Sequence, residues 1–257
     1  MKVPPQNDKS AQPMRGETLD ALFDGALELF QSRTGYRFSL DALLLAHFAS
    51  FKHRDRVIDL GTGCGVIALI LARSHPEISI LGVEHQSALA GRAARNVTVN
   101  RFQSRVAIRR GDLRDAATIG PAESFDGAVC NPPYRRPTAG RISANDERKI
   151  ARHEIHGGLD DFVNAAAYLL RVKGRLAVVY WAERAVDLLS TLRRAGLEPK
   201  RLRMVHSFKD SEASLILVEA VKQGRSGVKI LPPLIVYREG KQYSDEVAAL
   251  IAGKSLP

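Results

Sequence analysis

Cysteine is scarce in this chain, with two in 257 residues: Cys64 inside a glycine-rich loop and Cys130 inside an apolar run. Two thiols so placed build no disulfide framework, and a reducing compartment, the cytoplasm, is the expected home. Long apolar runs are also missing. No stretch reaches the roughly 18 residues a membrane span needs, and the polar, proline-containing N-terminus has no signal-type apolar segment, so neither secretion nor a membrane partner is expected. Histidine and cysteine never cluster at metal-ligand spacing. His153 and His156 are three apart but lack a cysteine partner and sit in a basic loop, so no metal is expected. Acid is short relative to base: 28 Asp and Glu face 38 Lys and Arg, a net charge of +10, which favours a polyanionic partner such as nucleic acid. What remains is globular, 45% hydrophobic and 26% charged, without repeats, and of a length that fits one domain with extensions.

Residues 1–15 read as a mobile, solvated leader. Residues 16–55 read as a helical extension. Leu19, Leu22, Phe23, Ala26, Leu27 and Phe30 recur at helical spacing, although Gly25 leaves a strand–turn alternative open. Ser39 is a plausible N-cap for a helix over Leu40 to Phe51. From Arg56 a strict alternation begins. Strands are expected at Arg56 to Leu60, Ile78 to Glu84, Val106 to Arg110, Phe125 to Cys130 and Arg175 to Trp181, and helices at Val66 to Ser74, Ser87 to Asn100, Leu159 to Leu170 and Glu183 to Ala195. Strands interleaved with helices in this way imply a mostly parallel sheet covered on both faces. Lys200 to Ser207 and Ser214 to Val221 leave no room for a crossover helix, so they are expected to form an antiparallel hairpin. Residues 56–222 form the core on this reading. Residues 223–257 form a tail packed on it, with an extended segment at Ile230 to Tyr237 and a short helix near Ser244 to Ile251.

Two stretches carry chemistry. Asp59-Leu60-Gly61-Thr62-Gly63-Cys64-Gly65 lies where the first core strand turns into a helix. Glycines there let the backbone turn tightly and approach a ligand, and the helix N-terminus offers free N–H groups. The spacing is not that of the dinucleotide motif, which argues against a hydride-transferring enzyme. Glu84 closes the second strand, where its two carboxylate oxygens can accept both hydroxyls of a ribose. Asn131-Pro132-Pro133-Tyr134 ends the fourth strand. An asparagine amide held between a strand and two prolines, with an aromatic ring nearby, suits a planar NH2 group. The Asn131 side-chain oxygen and the Pro132 carbonyl can accept the two amine hydrogens, and Tyr134 gives a face on which a base can stack.

The alternating core, the D-x-G-x-G-x-G loop and the final hairpin together resemble the Rossmann-like S-adenosylmethionine-dependent methyltransferases. The fold implied is α/β, with a mostly parallel seven-stranded sheet ending in an antiparallel hairpin and helices on both faces. In that resemblance Gly61, Gly63 and Gly65 wrap the amino-acid half of S-adenosylmethionine, Asp59 engages its methionine part, Asp112 faces the adenine amino group and Leu113 packs on the ring. Asn131 is shared between cofactor and substrate. Gly35 to Ala46 and the tail residues Pro233 to Tyr237 with Tyr243-Ser244 are similar to the bacterial enzymes that methylate N6 of adenine 37 in valine tRNA. That likeness implies that Tyr36 to Asp41 closes over the cofactor, with Tyr36, Arg37 and Asp41 as contacts. It also implies an RNA partner, the anticodon loop of a tRNA. Arg135, Arg136, Arg141, Arg148, Lys149 and Arg152 follow the catalytic turn and are the expected phosphate contacts. A protein-glutamine or rRNA guanine-N2 methyltransferase, and an RNA-binding protein on a degenerate methyltransferase fold, are the alternatives.

Overall fold

The computed structural model describes residues 12–34, 37, 39–133 and 158–254. The alternation that begins at Arg56 builds the sheet. Strands β3 (Arg56–Leu60), β4 (Ser79–Glu84), β5 (Val106–Arg110), β6 (Phe125–Cys130) and β7 (Leu170–Trp181) run parallel. Antiparallel β9 (Ala213–Lys222) follows β7 in the sheet, and β8 (Leu197–His206) pairs antiparallel with β9. Two short tail strands, β10 (Lys229–Ile230) and β11 (Leu234–Ile235), add to the free edge of β8. The sheet is therefore nine-stranded, in the order β10-β8-β9-β7-β6-β3-β4-β5 with β11 on β8. The seven strands expected from sequence are its long members; the tail supplies the other two.

Alternation along each strand assigns side chains to two cores. Val57, Ile80, Val106, Val129, Ala177, Val179 and Leu217 pack under α1 (Leu40–Phe48) and α2 (Val66–Ser74), joined by Val97 of α3 (Ser87–Val99). Ile58, Leu60, Ala128, Cys130, Leu176, Val178 and Tyr180 face the other way. There they meet Ile119 of α4 (Ala116–Ile119), Phe162, Val163 and Leu169 of α5 (Leu159–Leu169), and Leu188 and Leu192 of α6 (Ala185–Arg194). The tail ends in α7 (Asp245–Ile251), whose Val247 and Leu250 are buried in the first core beside α1. Ser244 caps α7 by accepting the Val247 N–H at 3.2 Å.

The helical reading of Thr18 to Phe30 gives way to its strand–turn alternative. β1 (Glu17–Leu22) and β2 (Leu27–Ser32) form an antiparallel hairpin in register from Glu17↔Ser32 to Leu22↔Leu27. Phe23, Asp24 and Gly25 all have positive φ in its turn, a conformation a helix interior does not contain. The helix expected to reach Phe51 stops at Phe48 because the next residues have other work. Ala49 is extended, the Ser50 hydroxyl donates to buried Glu219 at 2.5 Å, and the Phe51 ring occupies the space a Cβ on Gly127 would need.

Candidate active site at the carboxyl edge of the sheet

The parallel strands place their C-terminal ends along one edge, where ligands bind in open α/β sheets. β3 ends at Leu60, which pairs with Val83 on one side and Cys130 on the other. Gly61 and Asn131 therefore leave adjacent strands, each one residue beyond that pairing. Pro132 after Asn131 is buried and Pro133 is exposed.

The glycine loop is held by the backbone of its neighbours. The Gly61 and Thr62 N–H groups both donate to the Val83 carbonyl at 2.9 Å, and the Gly65 N–H donates to Thr62 O at 2.9 Å. Glycine is demanded twice over at its ends. Gly61 has φ +71, and a Cβ there would lie 2.8 Å from the Phe162 ring. Gly65 caps α2 at φ 86, with a Cβ position 3.3 Å from Ala93.

Three acids border this loop, each in a different state. Asp59 is fully buried. Its Oδ2 accepts the Thr62 hydroxyl at 2.6 Å, while Oδ1 has no partner among the described residues. Burial, with Glu84 repulsion added, raises its pKa to about 7. Glu84 is also buried, and its two oxygens are shared between the Gly63 N–H at 3.0 Å and the Gln86 N–H at 2.8 Å. Asp112, beyond β5, is partly exposed and gripped by Arg114, whose backbone N–H and Nε lie 3.0 and 2.9 Å from Oδ1. That grip lowers the Asp112 pKa to about 2. Leu113 beside it is buried.

The structure thus brings Asp59, Gly61, Gly63, Gly65, Glu84, Asp112, Leu113, Asn131 and Pro132 to one edge. Asp41 lies in the first turn of α1. Arg37 goes elsewhere: its described hydrogen bonds reach Asp20 Oδ2 at 2.5 Å, Thr18 Oγ1 at 3.1 Å and Ser32 O at 3.2 Å, all on the hairpin. Asp20 offers the guanidinium a charged partner there. Tyr36, Tyr134, Arg135, Arg136, Arg141, Arg148, Lys149, Arg152, His153 and His156 lie outside the described residues.

Two neighbours of the site escaped sequence reasoning. Trp181 ends β7, the strand beside β6, and by alternation shares the face of Val179 and Val129. Asn96 on α3 donates to the Cys64 carbonyl at 2.8 Å from full burial. Its signal was present as a polar residue among the buried positions Ala90, Ala93 and Val97 of an otherwise amphipathic helix.

The Asp59 oxygen without a hydrogen-bond partner, the carboxylate of Glu84 and the glycine loop fit S-adenosylmethionine. The sheet order, the hairpin at its end and this cradle define a Rossmann-like S-adenosylmethionine-dependent methyltransferase. Residues 40–195 match the model of the methyltransferase small domain family. A tRNA1(Val) (adenine(37)-N6)-methyltransferase of Porphyromonas gingivalis is 30% identical over 75% of this chain and 77% of its own. One from Photobacterium profundum is 27% identical over 84% of this chain and 90% of its own. Among solved structures, a predicted O-methyltransferase, protein Atu636 from Agrobacterium tumefaciens, superposes with a TM-score of 0.69 at 20% identity, covering 84% of this chain and 97% of its own. The chain belongs to the tRNA1(Val) (adenine-37-N6)-methyltransferase family, within the methyltransferase small domain enzymes. Among the described residues no helix is long and apolar enough to cross a membrane.

Proposed function

We propose that this enzyme methylates N6 of an adenine in RNA, adenine 37 of a valine tRNA, in the cytoplasm. The observation that carries the reading is the pairing of Leu60 with Cys130 on adjacent strands, after which the glycine loop and the amide-bearing turn leave the same edge of the sheet. S-adenosylmethionine supplies an electrophilic methyl group on a sulfonium, so the protein's part is to bind, align and position charge. Asp59 engages the ammonium of the methionine half, directly or through water, and Glu84 accepts the ribose hydroxyls. Asp112 and Leu113 border the adenine of the cofactor.

On the substrate side, the lone pair of an adenine N6 is delocalised into the ring. Two acceptors on its hydrogens, Asn131 Oδ1 and the Pro132 carbonyl, favour the geometry in which that lone pair points at the methyl group. Tyr134 stacks on the base, and the cations from Arg135 to Arg152 contact phosphates. An anticodon loop presents its bases already unpaired, so delivery of the target costs less than flipping one from a duplex. The relatives' names support the nucleotide, and the chain's net charge of +10 supports a polyanion over a protein amide.

The test is parallel incubation with labelled donor and total tRNA, rRNA, DNA or a translation release factor. Label is expected in tRNA, and it should vanish from a valine tRNA transcript whose position 37 is guanine. Label confined to the release factor would establish the glutamine reading instead.

Trp181 is the single tryptophan of the chain and stands beside the strand that carries Asn131. Its emission should be quenched when the substrate tRNA is titrated in. An unchanged spectrum at concentrations that support turnover would mean that the RNA does not reach this end of β7.

A further inference from the structure

The hairpin β1–β2 has one edge of β2 unpaired by strand, and the sequence of α3 closes it in an unusual way. Asn100 Oδ1 accepts the Glu28 N–H at 2.9 Å, and its Nδ2 donates to Glu28 O at 2.7 Å. One helical turn earlier, Asn96 Oδ1 accepts the Phe30 N–H at 2.7 Å, and its Nδ2 donates to Phe30 O at 3.1 Å. Each amide mimics a strand residue. The match is geometric: four helical residues rise about 6.0 Å, and two strand residues span about 6.6 Å. Alternate outward-facing peptide groups of β2 therefore meet asparagines at i and i+4. Around this ladder, Glu17 is buried between Arg92 at 2.9 Å and Arg95 at 2.8 Å, and Arg95 lies 4.3 Å over the Phe30 ring.

The two asparagines differ in where the second amide hydrogen goes: that of Asn100 is donated back to Asn96 O at 2.7 Å. The Asn96 amide also donates to Cys64 O at 2.8 Å, inside the glycine loop, from a side chain with no exposure. An amide nitrogen has two hydrogens, and here one serves the hairpin and the other the loop. The bond fixes the peptide between Cys64 and Gly65, and with it the backbone that turns into α2. Ala93, one turn earlier on the same helix, leaves little room for a Cβ at Gly65.

We propose that Asn96 is a positioning residue for methyl transfer, locking the glycine loop into its cofactor-binding shape and making the N-terminal hairpin part of that lock. This rests on the assignment of the glycine loop to S-adenosylmethionine. Asn100 is the internal control, since it makes the same strand-like pair without touching the loop.

Calorimetric titration of S-adenosylmethionine into the full chain and into Asn96→Leu and Asn100→Leu is the test, with thermal unfolding of each. Both variants should melt earlier. Asn96→Leu should weaken cofactor binding about tenfold or more, and Asn100→Leu less than about threefold, since the bond into the glycine loop is lost only in the first. Asn96→Asp keeps the size and the acceptor for Phe30 N–H but removes both amide hydrogens; it is read in the same way where the leucine variant does not fold. At saturating donor, kcat of the Asn96 variants should stay near that of the parent while the donor KM rises. Equal loss of affinity in the Asn96 and Asn100 variants, or parental affinity in an Asn96 variant, would overturn the proposal. Failure of the parent itself to bind S-adenosylmethionine would instead remove the cofactor assignment on which it rests.

Discussion

Asn131→Ala is expected to lower kcat by about a thousandfold while the affinity for S-adenosylmethionine stays within about threefold. The magnitude follows from what one preorganised hydrogen-bonding group is worth when it acts on the reacting atom, on the order of a hundred- to a thousandfold, with misplacement of the amine added. The split between rate and affinity follows from position. Asn131 leaves β6 beside the glycine loop, but the loop's own supports are Val83 O, Glu84 and Asn96, none of which the substitution disturbs. Pro132 stays buried and keeps the turn in place. Single-turnover transfer of labelled methyl to tRNA, set against calorimetric titration of the donor, separates the two quantities. Loss of donor binding in the variant would mean that Asn131 holds the cofactor and not the amine.

The core from Arg56 to the last hairpin could be read in the sequence because its signals are local. Apolar runs of strand length, glycines at the first turn and acids closing successive strands each lie within a few residues of what they specify. The N-terminal hairpin could not be read this way. Leu19, Leu22, Phe23, Ala26, Leu27 and Phe30 satisfy a helical period, and the groups that decide for strand are Asn96 and Asn100, 66 and 72 residues further on. The ion pair of Arg37 with Asp20 of the hairpin was equally out of reach, since it depends on the hairpin having formed. The nine-stranded sheet exceeded expectation because a two-residue strand such as β10 is defined by the edge it meets, not by its own composition. Asp59 lies between these cases. Its place in the motif was legible, but its full burial with one oxygen unanswered follows from the packing of β3 between β4 and β6 and has no sequence signature.

That burial sets up opposite effects on stability and binding. The Asp59 pKa is raised from 3.8 to about 7, first by desolvation and then by Glu84, so the native state holds a proton that the unfolded chain releases near pH 4. Stability therefore falls as pH rises from about 4 to 7 and levels off above that. At pH 8 the ionised carboxylate, buried without a counter-charge and eased only by hydrogen bonds from the Thr62 hydroxyl and the Ala68 N–H, costs up to about 4 kcal/mol, from roughly three pK units at 1.36 kcal/mol each. Asp59→Asn is expected to remove this cost. The cofactor-free variant should match the parent near pH 4 and melt several degrees higher at pH 8. Binding should move the other way, because an ammonium requires the charged form of Asp59. In the parent, affinity for S-adenosylmethionine should rise about tenfold between pH 5.5 and 7. It should stop rising near pH 8, where an α-amino group begins to lose its own proton. In Asp59→Asn that acid limb should be flat, and affinity at pH 7 should be at least tenfold weaker. Melting curves and titrations over this range decide the matter: a variant that is no more stable at pH 8, or that keeps the parental rise in affinity, would place the titrating group elsewhere. The combination expected, a more stable protein that binds its cofactor less well, is what a charge kept unpaired for a ligand implies, since the free energy spent on burying Asp59 is recovered only when the cofactor's ammonium arrives.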